Sequence, residues 1–305
     1  VVGAFYFDEE SYSFIGDQIN LLLSPGADFA DPADDVRLPL PFFRRYYDVD
    51  VKSYAAFAEI NFDLTEKLTL IVGGRYTKDE KSLRIEQWID PNGPFEFLPP
   101  GPAAGDPTPA FPGYNTASLE AAGIPMDLDD DDFSIKAGLQ YAFTPDVQGY
   151  FTFSQGYKSG GWSARTNNAA EFVVFDPEYL DSYEIGLKTT VADGRARLNY
   201  TVFFYDYTDF FATATGTGGN FIVVNQDAEF YGVEFEATAR MTEQLDLFAS
   251  LGWQEGKYRG VPADSTIGDE PQRMPQWTAK VGTTWVKPVG DNDAFRFTVD
   301  WNYNE

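Results

Sequence analysis

The stretch from Val147 to Phe211 shows a pattern that recurs along the chain. In VQGYFTFSQGYKSGGW, Val147, Gly149, Phe151 and Phe153 alternate with Gln148, Tyr150, Thr152 and Ser154. A pleated strand imposes this period of two on its faces. SYEIGLKTTV alternates in the same way, with Tyr183, Ile185, Leu187, Thr189 and Val191 against Ser182, Glu184, Gly186, Lys188 and Thr190. Asp193-Gly194 suits a tight hairpin, whose central positions need positive φ. RLNYTVFFYDYTDFF then returns with Leu198, Tyr200, Val202 and Phe204 opposite Asn199, Thr201 and Phe203. Long antiparallel strands are therefore joined by a short turn at one end and a long loop at the other.

Carried over the whole chain, the pattern predicts eleven strands. The first runs from Val1 to about Phe7. KSYAAFAEINFDL and LTLIVGGRYT follow, the latter with a polar extension from Lys78 to Trp88, and DFSIKAGLQYAF precedes the three strands already described. FYGVEFEATARM, LDLFASLGW, QWTAKVGTTWV and AFRFTVDWNYNE complete the set. Thr65-Glu66-Lys67, Thr144-Pro145-Asp146 and Thr242-Glu243-Gln244 read as short turns. Long loops are expected at about 11–49, 89–131, 159–178, 209–226 and 256–275. Residues 89–132 hold nine of the 19 prolines, which cannot serve a central ladder. The alternation resumes directly afterwards, so this segment reads as an insertion within a single domain spanning 1–305.

The strict alternation of short and long connections separates two all-β architectures. A soluble sandwich shows no such rhythm. A transmembrane barrel has short periplasmic turns, longer extracellular loops, an apolar outer band and a polar interior. The charged residues on the polar faces (Glu59, Arg75, Lys136, Glu184, Lys188, Glu234, Arg240, Arg296 and Asp300) would then line a wet lumen. Between two packed sheets they would be costly unless paired. Aromatics near both strand ends, such as Phe62, Tyr141 and Trp285 at one and Tyr76, Trp253 and Trp301 at the other, fit interfacial girdles. The expected fold is an antiparallel transmembrane β-barrel. Eleven strands leave it open, and the chain begins inside an apolar strand, so it is expected to be part of a larger barrel.

Composition narrows the chemistry. Phe and Tyr number 27 and 18, yet mean hydropathy is only -0.32, as expected when apolar residues occupy one face of many strands. No apolar run approaches the roughly 18 residues of a spanning helix. Cysteine and histidine are both absent, which removes thiolate metal sites and the commonest general base; neither a catalytic set nor a cofactor is expected. The net charge of -26 argues against nucleic acid, whose phosphates need Lys and Arg. The acidic run DLDDDD (Asp127–Asp132) reads as a solvated loop. Calcium is an alternative, since carboxylates are hard oxygen ligands, although the Gly and Glu of a twelve-residue calcium loop are missing.

Several blocks together resemble the TonB-dependent outer-membrane receptors: YKSGGW (157–162), DPEYLDSYEIGLK (176–188), RLNYTVFFYDYTDF (197–210), NQDAEFYGVEFEA (225–237) and KSYAAFAEINFDLTEKLTLIVGGRYTKDEK (52–81). The resemblance implies a 22-stranded barrel of which this chain supplies about eleven strands, with an N-terminal plug that lies outside it. It implies a Gram-negative outer membrane, lipid around the barrel, and coupling to the inner-membrane TonB complex through a segment ahead of the plug. The implied cargo is a scarce small molecule: a ferric siderophore, haem, cobalamin or an oligosaccharide. Gly160, Gly161, Pro177, Glu178, Glu184 and Lys188 in these motifs read as structural. Loops on a rigid scaffold usually carry binding, and cations and aromatic faces suit an anionic chelate. Trp162, Arg165, Tyr207, Phe210, Phe211 and Arg259 are therefore the candidate substrate contacts. The closest rival is a plug-free diffusion porin. An outer-membrane enzyme would need a histidine, and a soluble carbohydrate-binding protein would need two apolar inner faces.

Overall fold

The computed structural model describes residues 1–17, 42–90, 114–164, 166, 169–215, 221–261, 265–268, 270–271, 274–290 and 293–305. Thirteen strands follow in chain order. β1 (Val2–Asp17), β2 (Phe42–Asp63), β3 (Leu68–Asp90), β4 (Asp127–Thr144) and β5 (Val147–Lys158) come first. The two-residue strands β6 (Gly161–Trp162) and β7 (Val174–Phe175) pair with each other. β8 (Glu178–Val191), β9 (Ala196–Thr215), β10 (Phe221–Arg240), β11 (Leu245–Tyr258), β12 (Trp277–Val289) and β13 (Asp293–Asn304) complete the chain. One antiparallel sheet of 11 strands takes β1 to β5 and then β8 to β13 in sequence order, without a crossover.

The short turns share one local device. Thr65, Thr144 and Thr242 each accept a hydrogen bond at Oγ1 from the amide two residues on, at 3.2 Å in every case. A threonine hydroxyl supplies this bond in ST-turns. The β8–β9 hairpin is turned by Asp193 (φ 56°) and Gly194 (φ 83°), as their sequence predicts, with Ala192 also left-handed at 55°.

Cross-strand register keeps the two faces distinct. Glu59 lies opposite Gly73, Gly73 opposite Lys136, and Lys136 opposite Ser154. Glu184 faces Thr152 on one side and Phe203 on the other. The other face carries Ile60, Val72, Ile185 and Val202, which are 67%, 50%, 58% and 50% exposed. Apolar exposure on this scale over a whole sheet face marks a surface that meets something other than water. Among the described residues no helix is long and apolar enough to cross a membrane.

Pairing runs further than the alternation indicated. β1 extends to Asp17, β2 starts at Phe42, β4 starts at Asp127, β9 reaches Thr215 and β10 starts at Phe221. The expected loops at 11–49, 89–131 and 209–226 are shorter by these amounts, and the one expected at 256–275 is bounded by Tyr258 of β11 and Trp277 of β12. The extensions mix apolar and polar residues on both faces, as in FFRRYYDV of β2 and FIVVNQ of β10, so side-chain alternation fades while the backbone ladder continues. The DLDDDD run shows how. Asp127–Asp132 pairs with β3 at Thr77–Ser82, and the Lys78 ammonium bonds Asp129 and Glu80, each at 3.1 Å. The run is strand, with Asp130 and Asp132 on the charged face and Asp129 and Asp131 on the other.

Candidate functional site

At the long-loop end the connections fold back onto the charged face of β2 and β3. A small core forms there from Tyr47, Leu83, Ile85, Tyr114, Leu119, Met126 and Phe172. Leu119 comes from α1 (Thr116–Ala121), whose start is closed by a reciprocal bond pair between Asn115 and Ser118, a capping arrangement that satisfies orphan amides. Tyr114 donates to the Thr166 carbonyl at 2.9 Å, and Tyr47 to that of Ala164 at 2.7 Å. Burial pushes the Tyr114 phenol well above its ordinary pKa.

The β5–β8 connection bridges the sheet at this end. β4 and β5 pair no further than Lys136–Ser154, after which β4 continues only against β3 and β5 only against β8. On one flank the connection is held by Asp130, which accepts from the Gly160 amide, and by Lys81, which donates to the Gly160 carbonyl. On the other flank the Val223 amide donates to Ser163 Oγ at 2.8 Å. Trp162 packs on the small core and donates its indole N–H to the Pro125 carbonyl at 2.7 Å. Its one polar group is therefore engaged within the protein.

Asn225 joins three of the sequence motifs. Its side chain accepts from the Asp176 amide at 2.7 Å and donates to the carbonyls of Asp176 and Asp209 at 2.9 and 2.8 Å. Glu178 accepts from the Phe211 amide at 2.7 Å, and Asp227 from that of Asp209, which stands at φ 56°. At a bulge between Gln226 and Ala228, Asp227 stands against two residues of β9, Thr208 and Asp209. DPEY, DYTDF and NQDAEFYGVE thus meet in one backbone junction, in line with their structural reading.

Just beyond it lies an aromatic patch. Tyr207, Phe210 and Phe230 stand within 5.1–5.5 Å of one another by ring centroid, and Tyr258 lies 6.2 Å from Phe210. Arg259 follows Tyr258 and pairs with Asp206, while its Nε is buried without a partner. The sequence-derived candidates Tyr207 and Phe210 are therefore brought together, whereas Arg259 is drawn to Asp206, which lies opposite Asp181 and Glu229 in phase with the apolar face. Phe211 turns away to Phe175 (4.7 Å), with the Lys158 ammonium 4.3 Å above its ring. Arg165 lies outside the described residues. Phe230 and Tyr258 were not anticipated, although Phe230 carried a signal: it shares its face with Glu234 and Glu236, out of phase with the apolar residues of its strand.

Nearer mid-sheet, the charged face carries the Lys136–Glu59 pair at 2.9 Å, and Arg75 Nε donates to Thr77 at 2.9 Å. Both flank a cavity of about 490 Å³ that also takes in Ser134, Ser154 and Tyr157. Tyr205 donates to Glu184 at 3.2 Å, Lys188 lies over the Tyr150 ring, and Arg240 reaches Asp246. Glu234 stands opposite Thr201 on this same face. Among the described residues no three acidic side chains converge to hold a metal ion. The alternation of β4, which sends its aspartates to opposite faces, is the reason the DLDDDD run does not.

Comparison with known proteins accords with this architecture. Residues 3–305 match the model of the TonB dependent receptor-like β-barrel. The ferrichrome outer membrane transporter/phage receptor of Escherichia coli K12 is 25% identical over 173 residues, which cover 55% of this chain and 22% of that protein. The ferric yersiniabactin uptake receptor of Yersinia pestis superposes with a TM-score of 0.63 at 17% identity, over 86% of this chain and 36% of that one. The ferric-catecholate import receptor of E. coli K12 gives 0.56 at 14%, over 93% and 39%. The chain thus spans well under half the length of these relatives, and the two structural likenesses speak to fold alone. It is an outer-membrane chain with its apolar face toward lipid, and it belongs to the TonB-dependent receptors, to whose β-barrel it contributes eleven strands.

Proposed function

We propose that the whole receptor imports a ferric chelate, driven by the TonB complex, and that this chain forms the wall on which the chelate is first held. The charged face would line the lumen, and the long-loop end would face outward. The aromatic patch of Tyr207, Phe210, Phe230 and Tyr258 carries this reading. Four half-buried rings gather on the charged face, and flat aromatic or apolar parts of a ligand suit them. Relatives named for ferrichrome, ferric yersiniabactin and ferric catecholates support iron chelates as the class.

The test is uptake of radiolabelled ferric chelates by cells producing the full-length receptor, with and without TonB. Uptake of at least one chelate that needs TonB is the expected result. Passage of small solutes independent of TonB would favour the diffusion porin instead.

A further inference from the structure

At the opposite, short-turn end, a cavity of about 670 Å³ is lined by Arg195, Arg197 and Arg240, together with Asp193, Asp246 and Phe248. Lys280 adds a fourth cation, its ammonium 5.6 Å from the centre of the Phe248 ring. Three arginines therefore meet two carboxylates in the lining, with Lys280 nearby, in a chain whose net charge is -26. The arginines are incompletely used. Arg195 Nε donates to the Ala192 carbonyl at 3.2 Å, and Arg240 Nε reaches Asp246 only at 3.5 Å. Arg197, opposite Thr190 and Thr238, has no polar side-chain partner among the described residues. Arg195 and Arg240 are also direct cross-strand neighbours, since the Arg240 amide donates to the Arg195 carbonyl at 2.7 Å. Like charges directly opposite one another destabilise a strand pair unless an anion sits between them.

We propose that this cavity binds a phosphate-type oxyanion at the periplasmic rim of the barrel. Guanidinium groups present planar forks of N–H donors that match phosphate oxygens two at a time. The position in the fold admits two sources of that phosphate. Arg197 and Arg240 project from the charged face, where a soluble phosphate or phosphorylated solute would arrive. Leu247, on the apolar face, also borders the cavity, and at this level the headgroups of the inner leaflet come within reach of long basic side chains. The site stands apart from the aromatic patch and does not depend on which chelate, if any, the receptor carries.

The experiment uses the full-length receptor and the rate at which phenylglyoxal modifies each arginine, read by peptide mass spectrometry. One arm adds millimolar pyrophosphate to receptor in a neutral detergent. The other compares nanodiscs of phosphatidylglycerol with nanodiscs of phosphatidylcholine. Arg84, exposed at the far end of the barrel, is the internal control. Occupancy should slow modification of Arg195, Arg197 and Arg240 about tenfold while Arg84 is unchanged, as expected for charge-assisted bidentate contacts. Protection by pyrophosphate assigns a soluble anion, protection only by phosphatidylglycerol assigns the headgroup, and either supports the site. In the doubly substituted R197Q/R240Q receptor, protection of Arg195 should vanish. No protection in either arm, or equal slowing at Arg84, overturns the proposal.

Discussion

Asp130 accepts a hydrogen bond from the Gly160 amide at 3.0 Å, while Lys81 grips the carbonyl of the same glycine at 2.6 Å. One peptide unit on either side of a single residue therefore anchors the β5–β8 connection to β3 and β4. Glycine is required by space: a Cβ at this position would stand 2.6 Å from the Phe175 carbonyl oxygen. Gly160→Ala should therefore cost about 2–3 kcal/mol locally, within the range of overpacking effects. Asp130→Ala should cost about 1 kcal/mol, the usual net value of a hydrogen bond. Both are read as faster proteolysis within residues 159–177 of the full-length receptor, with Gly160→Ala the faster. Equal resistance in wild type and both variants would show that the connection is held elsewhere.

A pair of lysine substitutions tests which face meets lipid. Ile185 lies on the apolar face next to Glu184, and Thr152 lies opposite Glu184 on the charged face. The two positions sit at nearly the same depth. Ile185→Lys should destabilise the receptor in bilayers by about 2–4 kcal/mol, as for a cation on the lipid face of a barrel. Thr152→Lys gains Glu184 as a neighbour and should change stability little. Urea unfolding in lipid vesicles gives both values, and comparable losses at the two positions would contradict the assignment of faces.

The assignment of faces was legible in the sequence because burial repeats with a period of two, whatever the sheet is part of. Ser53, Glu59, Lys136 and Glu184 could be placed opposite Ile60, Val72 and Ile185 from that rule alone. The strand ends were not legible. Residues such as Asp8, Asp50 and Asp129 disfavour strands by intrinsic preference, yet they continue a ladder held by backbone bonds and by cations such as Lys78. The candidate site was half legible. Tyr207 and Phe210 stood out as aromatics near a loop, whereas Trp162 and Phe211 stood out for the same reason and pack into framework. Their partners, Pro125 and Phe175, are distant enough in sequence that only folding reveals them.

Alkaline pH should loosen the outer-end core through Tyr114. Burial raises its phenol above the ordinary value, with Tyr47 adding and Arg45 opposing. An unfolded tyrosine loses its proton near pH ~10, while the folded one stays neutral. The stabilisation is therefore complete below about pH 10 and is lost as pH rises above it. Tyr114→Phe removes the bond to the Thr166 carbonyl at a cost of about 1 kcal/mol near neutrality, and it should flatten the alkaline slope. The slope is measured as the pH dependence of proteolysis between residues 114 and 126. A slope unchanged by the substitution would assign it to another group.

The division between framework and ligand-contacting aromatics can be tested by comparing Phe230 with Phe211. Phe230 completes a half-buried patch with Tyr207 and Phe210 on the charged side. Phe211 is sandwiched between the Phe175 ring and the Lys158 ammonium. If the patch holds the chelate, Phe230→Ala should weaken binding of the imported ferric chelate about tenfold, a factor equal to 1.4 kcal/mol and typical of a lost ring contact. The melting temperature should hardly move. Phe211→Ala should do the reverse, lowering stability by about 1–2 kcal/mol through lost ring and cation–π contacts while leaving affinity near wild type. Phe210→Ala should follow Phe230→Ala, since the two rings share one contact surface, and the double variant should lose less than the sum of the two. Affinity measured by fluorescence quenching and stability measured by thermal unfolding separate the two classes. Loss of affinity at Phe211 without loss of stability would move the chelate to the Phe175 side of the junction.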